Sequence, residues 1–238
     1  MTDPLSGLLL FDKPSGITSF DAVYHVRRKL GVKRVGHCGT LDPAARGLLM
    51  MLVGPATRAQ ESLLGLEKEY WFKGEFGRKT STGDNEGEVI ETKPFAHLTR
   101  ESLQAAMASF EGDIQQLPPM YSALKYKGRP YYDYARKGIE IPRAVRAITI
   151  YSLSLLSVRM PYWEARVVCS RGTYVRTLVE DIAEKLGTCG TMVDLIRERV
   201  GPYRREQAFT WEEWRRLEPE SLIPFLRPVM AAPVLVHA

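Results

Sequence analysis

Apolar and polar positions alternate along this chain in short blocks broken by proline and glycine. The apolar run at 8–11 ends at Asp12-Lys13-Pro14-Ser15-Gly16, which predicts a strand closed by a turn. Thr18 and Asp21 have capping-box spacing, and Phe20, Val23, Tyr24 and Leu30 follow helical spacing up to Gly31, so a helix is expected there. Residues 35–47 hold three glycines, a proline, a histidine and an aspartate. They read as one long irregular loop entering a buried strand at 48–53, the kind of loop on which a rigid sheet presents chemistry. Residues 69–76 predict a strand with Tyr70, Phe72 and Phe76 on one side, then a polar turn at 79–87 and a returning strand at 88–91. A helix is predicted at 99–110, with Leu103, Met107 and Phe110 on one face and Gly112 as its stop. Segments 148–158 and 163–169 predict antiparallel strands joined through a turn at 170–172 to a helix at 173–186, with Leu178, Ile182 and Leu186 inward and Gly187 as cap. Thr210-Trp211-Glu212-Glu213 is a second capping box. Strands with interspersed helices and no strict βαβ alternation predict an α+β fold with a mixed, mostly antiparallel sheet.

Composition narrows the function classes. The chain has 238 residues, 45% of them apolar and 26% charged, which excludes wholesale disorder and fibrous repeats. Lysine and arginine number 33 against 28 acids, a net charge of +5 that permits a polyanionic partner. Three cysteines, Cys38, Cys169 and Cys189, lack CxxC spacing, so neither a disulfide framework nor a structural zinc site is expected. No signal-like leader or membrane-length apolar run is present, and a cytoplasmic protein is expected. The four histidines, His25, His37, His97 and His237, show no metal spacing, and no P-loop, dinucleotide fingerprint or HExxH occurs. Cys38 beside His37 is a weak nucleophile candidate. Between 116 and 146 tyrosines interleave with cations. That texture suits unpaired RNA, cations meeting phosphate and rings stacking on bases, and equally a tyrosine-rich surface hairpin. Asp42 is the most suggestive acid. On its own an Asp-Pro step only starts a turn or caps a helix.

The flanking residues change that judgement. Gly39-Thr40-Leu41-Asp42-Pro43-Ala44-Ala45-Arg46-Gly47-Leu48-Leu49 resembles the G-x-L-D-P-x-A-x-G-x-L signature of the TruB family of tRNA pseudouridine synthases. Asp12-Lys13-Pro14-Ser15-Gly16-Ile17-Thr18-Ser19 is similar to the family's opening motif. Lys68-Glu69-Tyr70 with Thr80-Ser81-Thr82-Gly83-Asp84 resembles its tyrosine strand and T-x-T-x-D segment. Residues 117–125 resemble the start of its RNA-binding insertion, and 169–178 its C-S-x-G-T-Y-[VI]-R-[ST]-L motif.

The resemblance implies isomerisation of uridine to its C-glycoside in the T-loop of tRNA, at uridine-55, without metal or cofactor. Asp42 would be the essential carboxylate and Arg176 its ionic partner. Tyr70 would stack on the target base, Tyr174 and Leu195 would line the pocket, and Asp84 would support the flipped base. His37 would fill the space that flipped nucleotides leave, and Lys13 would support the pocket floor. Phosphate contacts would come from Lys125, Lys127, Arg129, Arg136 and Arg143, with weaker claims for Arg27, Arg28 and Arg34. A single catalytic domain over 1–238 is expected, with the insertion at about 118–147, a C-terminal PUA domain absent or vestigial, and a monomeric state. Cys38 and Arg46 depart from the family pattern. A ribosomal RNA target, a non-catalytic RNA-binding protein and a glycoside hydrolase pairing Asp84 with Asp42 are the rival readings.

Overall fold

The computed structural model describes residues 5–229. The closing stretch 233–238, on which the expectation about a C-terminal domain rests, lies outside them. The first strand, β1 (Gly7–Lys13), and helix α1 (Ser19–Leu30) form where expected. Thr18 and Asp21 make the reciprocal capping box, and Gly31 takes the left-handed conformation at φ 65°. The buried face of α1 is a correction. Ala22, Val23 and Val26 face the core, whereas Phe20 is 66% and Tyr24 53% exposed.

The expected loop at 35–47 is also shorter. Its first residues form β2 (Val35–Cys38), and only 39–45 remain irregular before β3 (Arg46–Val53). Helix α2 (Gln60–Leu64), then β4 (Lys68–Phe76), β5 (Arg78–Thr80) and β6 (Val89–Thr92) follow. Helix α3 (Arg100–Ala108) stops before Phe110, and Gly112 opens β7 (Gly112–Gln116) instead of ending the helix. The tyrosine-rich segment holds a small hairpin, β8 (Lys125–Tyr126) and β9 (Arg129–Pro130), and one helical turn, α4 (Tyr131–Ala135). Then come β10 (Arg146–Arg159), β11 (Tyr162–Cys169) and α5 (Val175–Lys185). Strand β12 (Gly190–Val200) has no counterpart among the sequence expectations. Strand β13 (Tyr203–Arg204) and helices α6 (Trp211–Arg216) and α7 (Pro219–Leu222) close the described chain.

Packing divides the chain into two compact units, one comprising the residues up to Lys68 and again from Ile196, the other Glu69–Leu195. In the first unit β1 runs antiparallel along the whole of β3, from Gly7↔Val53 to Lys13↔Gly47. The opposite edge of β3 is shared. Strand β2 covers Met50–Val53 antiparallel, and the end of β12 meets Arg46 and Gly47 in parallel. The irregular loop therefore leaves β2 and re-enters β3 where these two partners change over. Leu8, Leu10, Leu48, Met50, Leu52 and Val200 form the core of this unit. Phe11 meets Trp211 and Trp214 edge-on at 6.0 and 5.7 Å, which docks α6. Lys29 donates to the Trp214 carbonyl and lies over its ring.

In the second unit the strands run β4-β11-β10-β7, and β12 begins beside β4. The β10–β11 and β10–β7 pairings are antiparallel. Every second residue of β4 is buried, as its alternation predicts. Trp163 is fully buried, with Phe76 stacked on it at 5.5 Å and Phe72 edge-on at 5.4 Å. Glycine is required at 74, because a Cβ there would stand 2.5 Å from the indole.

Helix α5 buries Val175, Leu178, Val179, Ile182 and Ala183 and carries Glu180, Asp181 and Glu184 on its remaining surface. Burial, then the Glu180 and Glu184 charges, push the Asp181 carboxyl up to about 6, against a partial offset by Lys79. An acid raised in the folded state holds a proton that the unfolded chain releases. Its stability contribution is thus present below about pH 4 and lost as pH rises to about 6. Asp181→Asn is expected to raise Tm near pH 7.5 and to leave it unchanged near pH 3.5. Thermal melts at the two pH values check this, and a pH-independent gain would contradict it.

Candidate active site

The first unit builds its site around the loop 39–45. Gly39 and Gly47 bracket it with φ of 90° and 108°, values open to glycine. At Gly47 a Cβ would also stand 2.4 Å from the Arg197 carbonyl oxygen, so the parallel contact with β12 requires glycine there. Arg197 itself is 1% exposed. Its Nε donates to the Leu48 carbonyl at 2.7 Å, its Nη2 to the Gly39 carbonyl at 3.1 Å, and its Nη1 more weakly to Thr40 at 3.5 Å. One planar fork thus gathers both ends of the loop.

The middle of the loop is held from the other side. Ser19, the first residue of α1, accepts from the Leu41 amide at 2.9 Å and donates to the Leu41 carbonyl at 3.1 Å. Lys13, fully buried at the end of β1, donates from Nζ to the carbonyls of Pro14 and Ile17, both at 2.8 Å, and of Pro43 at 3.2 Å. The Gly16 amide reaches the same Pro43 carbonyl at 2.9 Å, and the Asp42 carbonyl accepts from Ala45 at 3.1 Å. Asp42 lies half-buried between two clamped neighbours. Its backbone is fixed before any substrate arrives, which is what a positioned carboxylate needs.

Two neighbours are chemically quiet. Burial, then the Arg197 charge, lower the His37 pKa, so the ring is neutral at pH 7 and fits a space-filling group better than an acid. Burial raises the Cys38 thiol to about 11, outweighing Arg197 and Lys68, so it is no thiolate nucleophile. Asp12 is raised by burial, against the opposing charges of Arg205, bonded at 2.9 Å, and Arg46.

The second unit contains Tyr70, Asp84, Tyr174, Arg176 and Leu195. Tyr70 lies on the buried row of β4, and Leu195 is buried on β12. Arg176, on the first turn of α5, donates to the Thr82 carbonyl at 2.8 Å and to the Tyr121 carbonyl at 2.7 Å, with the Asp84 carboxylate 3.7 Å away. It ties the T-x-T-x-D turn to the start of the tyrosine-rich segment. Asp84 accepts from Thr82 Oγ1 at 2.5 Å and from the Glu86 amide at 3.1 Å, so its carboxylate shapes its own turn. Tyr174 precedes α5 with its backbone held by Gln116, which donates to the Tyr174 carbonyl at 3.0 Å and accepts from its amide at 2.7 Å.

Of the expected phosphate contacts, Lys125, Lys127, Arg129 and Arg136 are exposed. Arg143 is half-buried and donates to the Pro118 carbonyl at 2.9 Å, a tie at the base of the segment. Arg197, Ser19 and Gln116 were not anticipated. A cation at a buried position of an apolar strand gives Arg197 away only once β12 is known. Among the described residues no group of three or more histidines, cysteines and acids could hold a metal ion, and no helix is long and apolar enough to cross a membrane.

Two family models match the chain. One, described as TruB family pseudouridylate synthase (N terminal domain), covers residues 27–175, and the other, tRNA pseudouridylate synthase B C-terminal domain, covers 176–232. Sheet, loop and sequence together define a pseudouridine synthase. Within that class the chain belongs to the TruB family. It is 46% identical to the tRNA pseudouridine synthase B of Aromatoleum aromaticum over 95% of this chain and 73% of the relative. To that of Geobacillus kaustophilus it is 44% identical over 96% and 85%. Among solved structures it resembles a chain of a Cbf5-Nop10-Gar1 complex, with a TM-score of 0.71 and 28% identity over 93% of this chain and 60% of that one. A second is a chain of an H/ACA RNP bound to a substrate RNA containing 2′-deoxyuridine, with a TM-score of 0.64 and 26% identity over 87% and 51%.

Arg197→Met removes the fork while keeping most of the side-chain volume. Turnover is expected to fall about a hundredfold through misplacement of the loop. Arg197→Lys should recover little, because one ammonium cannot reach three carbonyls in the same directions. Single-turnover kinetics on a chain shown to be folded by circular dichroism checks this, and wild-type rates would remove Arg197 from the positioning account.

Proposed function

We propose that this chain isomerises uridine-55 in the T-loop of tRNA to pseudouridine, with Asp42 as the essential carboxylate. The observation that carries the reading is the clamp of Lys13, Ser19 and Arg197 around the loop of Asp42. The names of the relatives support the choice of tRNA. In the reaction the N1–C1′ bond breaks and a C5–C1′ bond forms. C5 gives up its proton and N1 ends with one. Atoms and electrons balance within the nucleotide, so no oxidant, reductant or group carrier is called for.

In this reading the chain's residues divide the work. Asp42 acts on the sugar or base of the target nucleotide as a fixed anion. Tyr70, Tyr174 and Leu195 offer the base an apolar enclosure, which strengthens any charge inside it. Arg176 and Asp84 hold the T-x-T-x-D turn and the root of the insertion in one arrangement. His37, neutral, fills space beside the extruded nucleotides, and Lys13 carries the floor under Pro43. The exposed cations of the insertion meet T-arm phosphates. The reading takes the chain as one catalytic domain, acting as a cytoplasmic monomer.

The reaction is tested by tritium release from unmodified tRNA labelled at uridine C5. Wild type should release tritium, and Asp42→Asn should release none while binding tRNA with near wild-type affinity. Substantial release by the variant would take Asp42 out of its role. Binding without release by wild type would favour a non-catalytic RNA-binding protein. Replacing Lys125, Lys127 and Arg129 together by glutamine should raise KM about tenfold at physiological salt and change kcat little. An unchanged KM would remove the insertion from the binding account.

A further inference from the structure

Helix α1 has an outward face that the fold does not use and on which the family resemblance gives only weaker phosphate claims, at Arg27 and Arg28. Its inward residues are Ser19, Ala22, Val23 and Val26, and Lys29 is spent docking α6 through Trp214. The opposite face carries Phe20, Tyr24, Arg27 and Arg28, at spacings that place them along one stripe about 12 Å long. All four are exposed, Phe20 by 66% and Tyr24 by 53%. Cations in the last turn complement the helix dipole, which explains Arg27 and Arg28 by themselves. It does not explain two large exposed rings beside them, of which Tyr24 meets His25 edge-on at 6.0 Å.

We propose that this stripe is a second RNA-docking surface, on which unpaired bases stack on Phe20 and Tyr24 while Arg27 and Arg28 neutralise adjoining phosphates. The inference rests on the RNA substrate assigned above.

Charge argues for RNA as the occupant. Arg27, Arg28, Lys33 and Arg34 are exposed and make no ion pair among the described residues. The one acid of the helix, Asp21, is committed to the Thr18 cap. Four cations without anions form a field that a polyanion fills. Position argues for the same occupant. Ser19 binds both backbone groups of Leu41, next to Asp42, and Phe20 is the following residue. In this proposal the strand that delivers a nucleotide to Asp42 runs on from the loop onto the stripe. Ring availability also separates this face from the insertion. There Lys127 lies 5.4 Å from the Tyr126 ring centre and Arg136 5.3 Å from that of Tyr132. No cation lies over Phe20 or Tyr24 among the described residues.

The test uses the full chain and an unmodified tRNA transcript, with Kd measured by filter binding across a salt series. Phe20→Ala/Tyr24→Ala should weaken binding about tenfold and leave the salt slope unchanged. Arg27→Gln/Arg28→Gln should weaken binding and reduce the slope of log Kd against log salt by about two. All four side chains are exposed, so circular dichroism and Tm should match wild type. If wild type binds tRNA and both variants match its Kd and slope, the docking surface is overturned while the assigned reaction stands. If wild type neither binds nor turns over tRNA, the assigned reaction falls, and the docking surface with it.

Discussion

The buried guanidinium of Arg197 is the constraint on which the rest of the first unit depends. A cation without solvent is costly unless its donors are satisfied. Here the acceptors are main-chain carbonyls at both ends of the loop carrying Asp42. The requirement runs both ways. The carbonyl of Gly39, in the irregular stretch, takes its bond from the same side chain that reaches Leu48 in β3. Arginine and loop therefore fix each other, and Gly47 is forced because only a residue without Cβ lets β3 come this close to the Arg197 backbone.

The same device recurs. Lys13 satisfies three carbonyls under the loop. Lys68 donates to those of Leu64 and Leu66 at 2.6 and 2.5 Å, fixing the entry into β4. Arg176 joins the carbonyls of Thr82 and Tyr121. Several basic residues of this mildly basic chain are thus internal ties and contribute little to a surface field. A count of lysines and arginines therefore overstates the exposed positive charge that a polyanion could meet.

Much of the fold was legible in the sequence, because period-2 runs, capping boxes and glycine stops are local signals. The α1 cap, the alternation of β4 and the β10–β11 hairpin are of that kind. The misses share a cause in tertiary context. Phe20 and Tyr24 fit helical spacing, yet the sheet took Val23 and Val26 and left the rings outside. Strand β12 puts Arg197 at a buried position, which breaks the apolar alternation by which a strand is read. Val35–Cys38 became a strand because the free edge of β3 was there to pair with it, and no propensity argument contains that edge. At the site, the residues carrying recognisable motifs could be named in advance. Of their holders, Ser19 lay in a quoted motif without a role, and Gln116 and Arg197 could not be named, since a hydrogen bond to a distant carbonyl leaves no spacing signal.

Burial also sorts the chemistry at the end of β2, where the loop begins. His37, Cys38 and Asp42 lie within six residues, and each is a familiar reactive group. Burial acts in one direction on all ionisable groups, disfavouring the charged form. For His37 it leaves a neutral ring, and for Cys38 a protonated thiol. Arg197, whose charge opposes the thiol shift, adds to the histidine shift. The device that holds the loop therefore also helps keep His37 uncharged, which favours stacking and disfavours proton donation. Positioning and electrostatics at this end of β2 thus share one source, the Arg197 guanidinium.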